Sequence, residues 1–475
     1  MARTQRWVYF FLVAVILLIT GCSGGEEKAT EDLKTGLAKD EISNEAFKDI
    51  FPLQYDSYKK NEQMEDTKYG GSEKRSKYDP DKEPLLPILF NGYGFATEYN
   101  EERGHIYANE DIRAVARIND KSVGSCLTCK STAVPHMIEE MGDDYWGGNF
   151  NAEIWPKAEA MGHSPIGCSD CHDPENMDLR VTRPSFTKAM ESQGIDMSNP
   201  TKNDMRNYVC GQCHVEYYFA ASNSEVTYPW ANGFKPEDMY EYYETTAKEK
   251  GFEKDWIHNV SGTPMLKSQH PEFETHMEGP HGKAGVTCAD CHMPYERVDG
   301  KKKISSHWWT SPLKTMQQSC GTCHTNRDLD ELAKRVTDIQ DTHVEGLHEA
   351  QAVSTEAHYY VNKMILSGVS ADKIKQAQNH VRKGQWFWDI VAAENSAGFH
   401  NPQGMMDSLR TSISESNAAI KIGTEELVKK GVNLDELKQQ IESAKQAVFN
   451  EKDNFKKKDS AINNFFPVQQ PIVKK

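Results

Sequence analysis

Residues 126–130 read Cys126-Leu127-Thr128-Cys129-Lys130. Four later segments repeat the cysteine pair with histidine in the fifth place: Cys168, Cys171 and His172; Cys210, Cys213 and His214; Cys288, Cys291 and His292; Cys320, Cys323 and His324. In a Cys-x-x-Cys-His segment both thiols bond covalently to a porphyrin and the next residue ligates its iron, so each segment reads as a c-type haem site. Eleven cysteines in 475 residues would produce about a quarter of one such pair by chance, whereas five occur. Zinc is the competing use of paired cysteines, but a four-cysteine zinc site requires nothing after the second thiol, and five pairs leave one over.

Ten cysteines are used by the motifs, and the eleventh is Cys22. The chain opens with Arg3 and Arg6, an apolar run from Trp7 to Ile19, then Thr20-Gly21-Cys22, the layout of a secretory signal over residues 1–21. The run is too short to favour a membrane span. Ile19-Thr20-Gly21-Cys22 resembles a bacterial lipobox, in which Cys22 becomes a lipidated N-terminus; an ordinary cleaved signal with an incidental cysteine is the alternative. Several acyl chains would anchor the protein firmly. Residues 22–75 then read as a tether and N-terminal segment, solvated from Ser23 to about Asp40.

Loss of Arg3 and Arg6 makes the mature chain two units more negative than the −16 of the whole. Such a surface suits nucleic acid poorly, because that affinity comes mainly from phosphate neutralisation. A small anionic substrate would require locally focused positive charge.

The expected fold is mainly α: a multihaem cytochrome c with a haem-packed core and long C-terminal helices. Residues 76–327 hold the motifs, separated by loops containing Gly, Pro and Asp, which predicts short helices and little sheet. Residues 328–475 change to helical periodicity, with helices expected over Asp330 to about Leu366, Ala371 to Asn395 and Met405 to about Phe455. In the last, Met406, Ile413, Ile420, Leu427, Leu434, Ile441 and Val448 recur every seven residues, a coiled-coil-like stripe that fits either intramolecular packing or a subunit interface. Gly423 and Gly431 oppose a continuous helix.

Lys130 separates the first motif from the rest. A haem with two strong axial ligands carries electrons, whereas one with a single protein ligand keeps a position open to substrate. Four of the 17 histidines lie in motifs, and the remainder suffice to complete four haems. Lysine must shed its proton to bind iron, which a neighbouring ferric centre favours.

The order of one lysine motif and four histidine motifs resembles that of the pentahaem cytochrome c nitrite reductases that form ammonia. The resemblance runs from about Leu86 to about Gln403 and more loosely into the C-terminal helices. It implies five c-type haems, with Lys130 as proximal ligand of the catalytic one. Cys213-His214-Val215-Glu216-Tyr217 resembles the segment giving calcium ligands from Glu216 and Tyr217 and an active-site hydroxyl from Tyr217. Lys267-Ser268-Gln269-His270 resembles the segment giving calcium contacts from Lys267 and Gln269 and a catalytic histidine at His270. Ile112 to Arg117 resembles the helix carrying the catalytic arginine, aligned to Arg117 with Arg113 as the alternative. By the same resemblance His105 caps the haem at Cys210, His307 that at Cys168, His281 that at Cys320 and His400 that at Cys288.

The resemblance further implies a lipid-anchored enzyme outside the cytoplasmic membrane, a homodimer through its long helices, and electrons drawn from a membrane quinol-oxidising multihaem cytochrome. The implied reaction is six-electron reduction of nitrite to ammonium, the chemistry of nitrite ammonification. A non-catalytic electron-transfer cytochrome of the cell envelope is the alternative, which Lys130, Arg117, Tyr217 and His270 count against because a wire needs neither an open iron nor anion donors.

Overall fold

Four helices make up the C-terminal part of the computed structural model: α1 (Leu329–Leu366), α2 (Ala371–Ala393), α3 (Pro402–Lys429) and α4 (Leu434–Asn450). The structure describes residues 33–72, 76–77, 83–96, 98–101, 103–162 and 164–450. The signal segment, Cys22 and the chain beyond residue 450 lie outside the described residues. Helix α1 starts at Asp328, whose side chain accepts hydrogen bonds from the Asp330 and Glu331 amides, satisfying donors that a helix start leaves open. Asn401 does the same for α3 through the Gly404 amide, with Pro402 in the first turn.

The three longer helices pack closely. A Cβ on Gly384 of α2 would stand 2.6 Å from the Ser416 hydroxyl of α3, so this glycine lets the two backbones approach. The helix expected from Met405 to about Phe455 is in fact two. Gly431 takes φ +74° and breaks the chain between α3 and α4, a conformation that β-carbon sterics deny to most residues. Leu437, Ile441 and Ala444 of α4 are then buried, and Lys445 lies 3.2 Å from Glu356 of α1. The seven-residue stripe is therefore divided between two helices, its second part partly buried within the same chain.

The region before α1 consists of short helices and four two-stranded antiparallel ladders among the described residues. Two motifs show why their turns form locally. Asp170 accepts from the Gly167 amide and Asp290 from the Thr287 amide, so the residue before the second cysteine caps the turn that carries both thiols. The tether expected to run to about Asp40 is pinned earlier. Thr35 donates from its backbone and side chain to the Glu175 and Pro174 carbonyls beside the Cys168 motif, which lays the chain against the body. No helix among the described residues is long and apolar enough to cross a membrane.

The two regions share one contiguous cluster of buried apolar side chains running from Leu85 to Ala444. A buried ion pair also joins them. Lys267 Nζ lies 2.8 Å from Asp389 Oδ1 of α2, both side chains fully buried, and the other Asp389 oxygen accepts from the Ser268 amide at 2.9 Å. Burial works against the Lys267 charge, but Asp389 outweighs it and the pKa is raised. Asp389→Ala would leave that ammonium uncompensated and should cost about 3–5 kcal/mol, read as a lowered denaturant midpoint at unchanged haem content.

Candidate active site

Each of the four motif histidines is faced by a second imidazole. Ring centres lie 6.2 Å apart for His105 and His214, 6.3 Å for His307 and His172, 6.3 Å for His281 and His324, and 6.4 Å for His400 and His292. Two imidazoles sharing one first-row metal ion place their nitrogens about 2 Å from it on either side, so their ring centres stand about 6 Å apart. Each pair thus has the spacing of two axial ligands on one iron, and each contains one motif histidine. His172 and His307 direct Nδ1 to the carbonyls of Met177 (2.8 Å) and Ser305 (3.0 Å), which leaves Nε2 as the ligating atom.

The motif cysteines and these histidines border one continuous cavity of about 2650 Å³. All ten described cysteines are free thiols, as covalent attachment of porphyrin requires. The motifs adjoin one another, since the Cys129 and Cys213 thiols influence each other's ionisation, as do those of Cys210 and Cys288. Cavity, thiols and paired imidazoles together fit c-type haem.

Lys130, Tyr217 and His270 border the same cavity. Lys130 closes the turn that follows Gly124–Leu127, its amide donating to the Leu127 carbonyl at 2.9 Å. Arg183, fully buried, fixes that turn from both sides. It donates to the carbonyls of Thr128 (2.9 Å) and Ser131 (3.0 Å) and to Asp170 of the Cys168 motif (2.6 Å). Nothing in sequence spacing points to Arg183, because its partners come from two distant turns.

The two candidate arginines diverge. Arg113 is exposed, stacks on Trp155 and lies 3.5 Å from Glu159. Arg117 turns inward over Phe95, with its guanidinium carbon 3.9 Å from the ring centre and a buried Nε without a hydrogen-bond partner among the described residues. Its positive charge is felt at Tyr217 and Cys126. Burial first, then the neighbouring thiols, push the Tyr217 phenol up, and Arg117 opposes them. Tyr217 therefore stays protonated and able to donate.

The four oxygen donors named from sequence lie on two adjoining segments. Glu216 is completely buried and accepts from the Tyr243 hydroxyl (2.8 Å), the Ser268 hydroxyl (3.0 Å) and the Gln269 amide (2.6 Å). The Gln269 side chain lies 3.2 Å from the Lys267 carbonyl, and Tyr217 follows Glu216 directly. Among the described residues no three His, Cys, Asp or Glu side chains converge on a metal site. A cation here would take one carboxylate with carbonyl and amide oxygens, a shell that calcium accepts. Burial pushes Glu216 well above the ordinary carboxylate range, so an uncompensated charge is disfavoured there and a cation would restore it.

Glu274, not singled out from sequence, supports this segment. Its Oε1 accepts from the Glu216 amide (2.8 Å) and the Trp230 indole (2.7 Å), and burial lifts its pKa to about 8.

The cytochrome c552 family matches residues 43–473. The chain is 44% identical over 445 residues to the cytochrome c nitrite reductase subunit NrfA of Nitratidesulfovibrio vulgaris, covering 87% of this chain and 84% of that one. It is 36% identical over 410 residues to cytochrome c-552 of Bacteroides thetaiotaomicron, covering 85% and 80%. Among solved structures, the cytochrome c nitrite reductase of Desulfovibrio desulfuricans superposes with a TM-score of 0.75 at 39% identity, covering 82% of this chain and 88% of that one. The catalytic subunit of that protein has two calcium sites.

The Glu274 carboxyl has a folded pKa of about 8, against about 4.3 when unfolded. Between those values the folded protein holds a proton the unfolded chain has lost, so this group makes stability fall as pH rises through that window. Glu274→Gln keeps an acceptor for both donors and should flatten the decline in melting temperature between about pH 5 and pH 8, measured by thermal unfolding at a series of pH values.

Proposed function

The chain belongs to the cytochrome c552 family, and from that premise we propose that it is an ammonia-forming nitrite reductase whose reaction takes place beside Lys130. One observation carries the reading. Lys130 shares its cavity with Tyr217 and His270, while each of the four motif histidines is already faced by a second imidazole.

Bound at the five motifs, the haems supply the electrons and, at Lys130, an iron position open to substrate. Conversion of nitrite to ammonium and two waters takes six electrons and eight protons, so the side chains must bind an anion and deliver protons. Lys130 would ligate the iron as the neutral amine. Arg117 and His270 donate hydrogen bonds to the nitrite oxygens and offset negative charge as the nitrogen–oxygen bonds lengthen. His270 passes protons to the departing oxygens as general acid, and Tyr217 holds or protonates the nitrogen species that remains. Glu216, the Tyr217 and Lys267 carbonyls and the Gln269 side chain would hold a calcium ion, which would fix the segments bearing Tyr217 and His270 and add positive charge. In a chain of net charge −16, this local cluster draws the anion in.

The protein acts outside the cytoplasmic membrane, anchored through lipidated Cys22, and receives electrons from a membrane quinol-oxidising multihaem cytochrome. Met406, Ile413 and Ile420 of α3 remain half-buried within the single chain, which supports a homodimer through the long helices. The inward turn of Arg117 and the outward ion pair of Arg113 support Arg117 as the anion donor.

Anaerobic nitrite reduction by a reduced viologen should yield one ammonium for six donor electrons. Donor oxidation that stops at the haem content with nitrite untouched would make the protein an electron carrier. Arg117→Ala should lower turnover by about 10²- to 10³-fold at unchanged haem content, and Arg113→Ala should leave it near the wild-type rate. A fully active Arg117→Ala enzyme would refute the assignment.

A further inference from the structure

Two buried carboxylates stand behind imidazoles of the histidine pairs and take no part in the chemistry above. Glu394, at the end of α2, has a fully buried side chain with Oε1 2.6 Å from Nδ1 of His400. Backbone amides hold it there: Ser396 donates to Oε1 at 3.0 Å and Gly398 to Oε2 at 3.2 Å. Gly398 takes φ +85°, and a Cβ at that position would stand 2.4 Å from the His343 ring, so the loop accepts only glycine.

Glu272 is the second. Its Oε1 accepts from the backbone amide and the side chain of Asn395, at 3.3 and 2.6 Å. Its Oε2 is buried without a hydrogen bond and lies 3.7 Å from Nδ1 of His214. Consecutive residues, Glu394 and Asn395, thus place a full negative charge behind one imidazole at the Cys288 motif and another at the Cys210 motif. Both imidazoles at the Cys168 motif instead face neutral backbone carbonyls, of Met177 and Ser305.

A carboxylate behind a ligating imidazole raises the ligand's basicity and places negative charge near the metal, which favours the ferric over the ferrous state more than a carbonyl dipole does. We propose that Glu272 and Glu394 are positioning residues that hold the haems at Cys210 and Cys288 at lower midpoint potentials than the haem at Cys168. The Cys210 motif neighbours the Lys130 motif, since Cys213 influences the ionisation of Cys129. A low potential there makes an electron leave readily for the substrate-binding haem: one ferrous haem is oxidised as its neighbour is reduced, and the external donor replaces the electron. The inference rests on the reading of the four pairs as haem ligands.

Potentiometric titration of the complete five-haem protein, followed by optical and electron-spin spectra, tests it on Glu394→Gln, Glu272→Gln and Glu394→Asp. Haem count and the low-spin signature of the unaltered protein check the ligand reading itself, and absence of paired-imidazole haems would overturn both. With those intact, each glutamine variant should raise the midpoint of a different low-spin haem. At a fixed potential the reduced-to-oxidised ratio should rise about tenfold, equal to about 59 mV for one electron. Glu394→Asp should return toward the wild-type value. Unshifted midpoints in both glutamine variants, or equal shifts in Glu394→Gln and Glu394→Asp, would refute a role for the charge. Should one glutamine variant fail to assemble, the other still decides, because it reports on a separate haem.

Discussion

Opposed imidazoles about 6.3 Å apart are the constraint around which the rest of the molecule is arranged. The two imidazoles of each pair come from separate segments, so the backbone between them must turn often and can form little regular structure. His105 follows Gly104, which takes φ +95° at the start of a single helical turn. His307 follows the hairpin in which Tyr295 pairs with Ser305, and the Ser57 hydroxyl and Asn61 side chain fix its backbone at 2.8 and 2.7 Å. His400 stands on the loop after α2. Short helices, tight turns and two-stranded ladders are what such ligand placement permits.

The long helices are more than an appendage to this arrangement. Helix α2 supplies Asp389, which holds the backbone of the segment leading to His270, and ends at Glu394, which stands behind His400. Its Gln385 Oε1 accepts from His358 Nε2 of α1 at 3.0 Å, and His358 stacks at 3.7 Å on His258 of the haem region. Burial pulls His358 down to about 4 and His258 well below its usual value, so both rings are neutral and pack as polar core. One helix therefore registers the segment before His270, the loop bearing His400 and the polar interior against each other. Disturbance at any of these positions reaches the site by way of α2.

Legibility from sequence follows how local each signal is. The five motifs are contiguous, so the residues declare the chemistry directly. The facing histidines are lone residues with no spacing rule of their own, and only the family resemblance distinguishes His105 or His281 from surface histidines. Periodicity places the helix starts within a few residues, at Asp330 and Met405, but Gly423 and Gly431 look alike in sequence and only Gly431, at φ +74°, breaks the helix. Arg183, Asp389 and Glu274 carry no local mark. Each acts on a segment far away in the chain, as Asp389 does on Lys267 across 122 positions. Arg113 and Arg117 look equivalent in sequence. Only the packing of Trp155 and Glu159 against one, and of Phe95 against the other, separates them.

An acidic protein that reduces an anion must keep its own carboxylates from cancelling the positive charge at the site. Burial does this here. Glu216, Glu274 and Asp255 crowd the segments beside Tyr217 and Lys267, and desolvation raises all three pKa values, Asp255 to about 7 and Glu274 to about 8. At neutral pH Glu274 is largely protonated and Asp255 about half so, which leaves Glu216 as the carboxylate that a cation would hold ionised. Asp389 is balanced by Lys267. Arg117 then contributes its positive charge beside Tyr217. A net negative surface and positive charge beside Tyr217 are therefore compatible, because the carboxylates crowded on these segments are silenced by desolvation or paired within the fold.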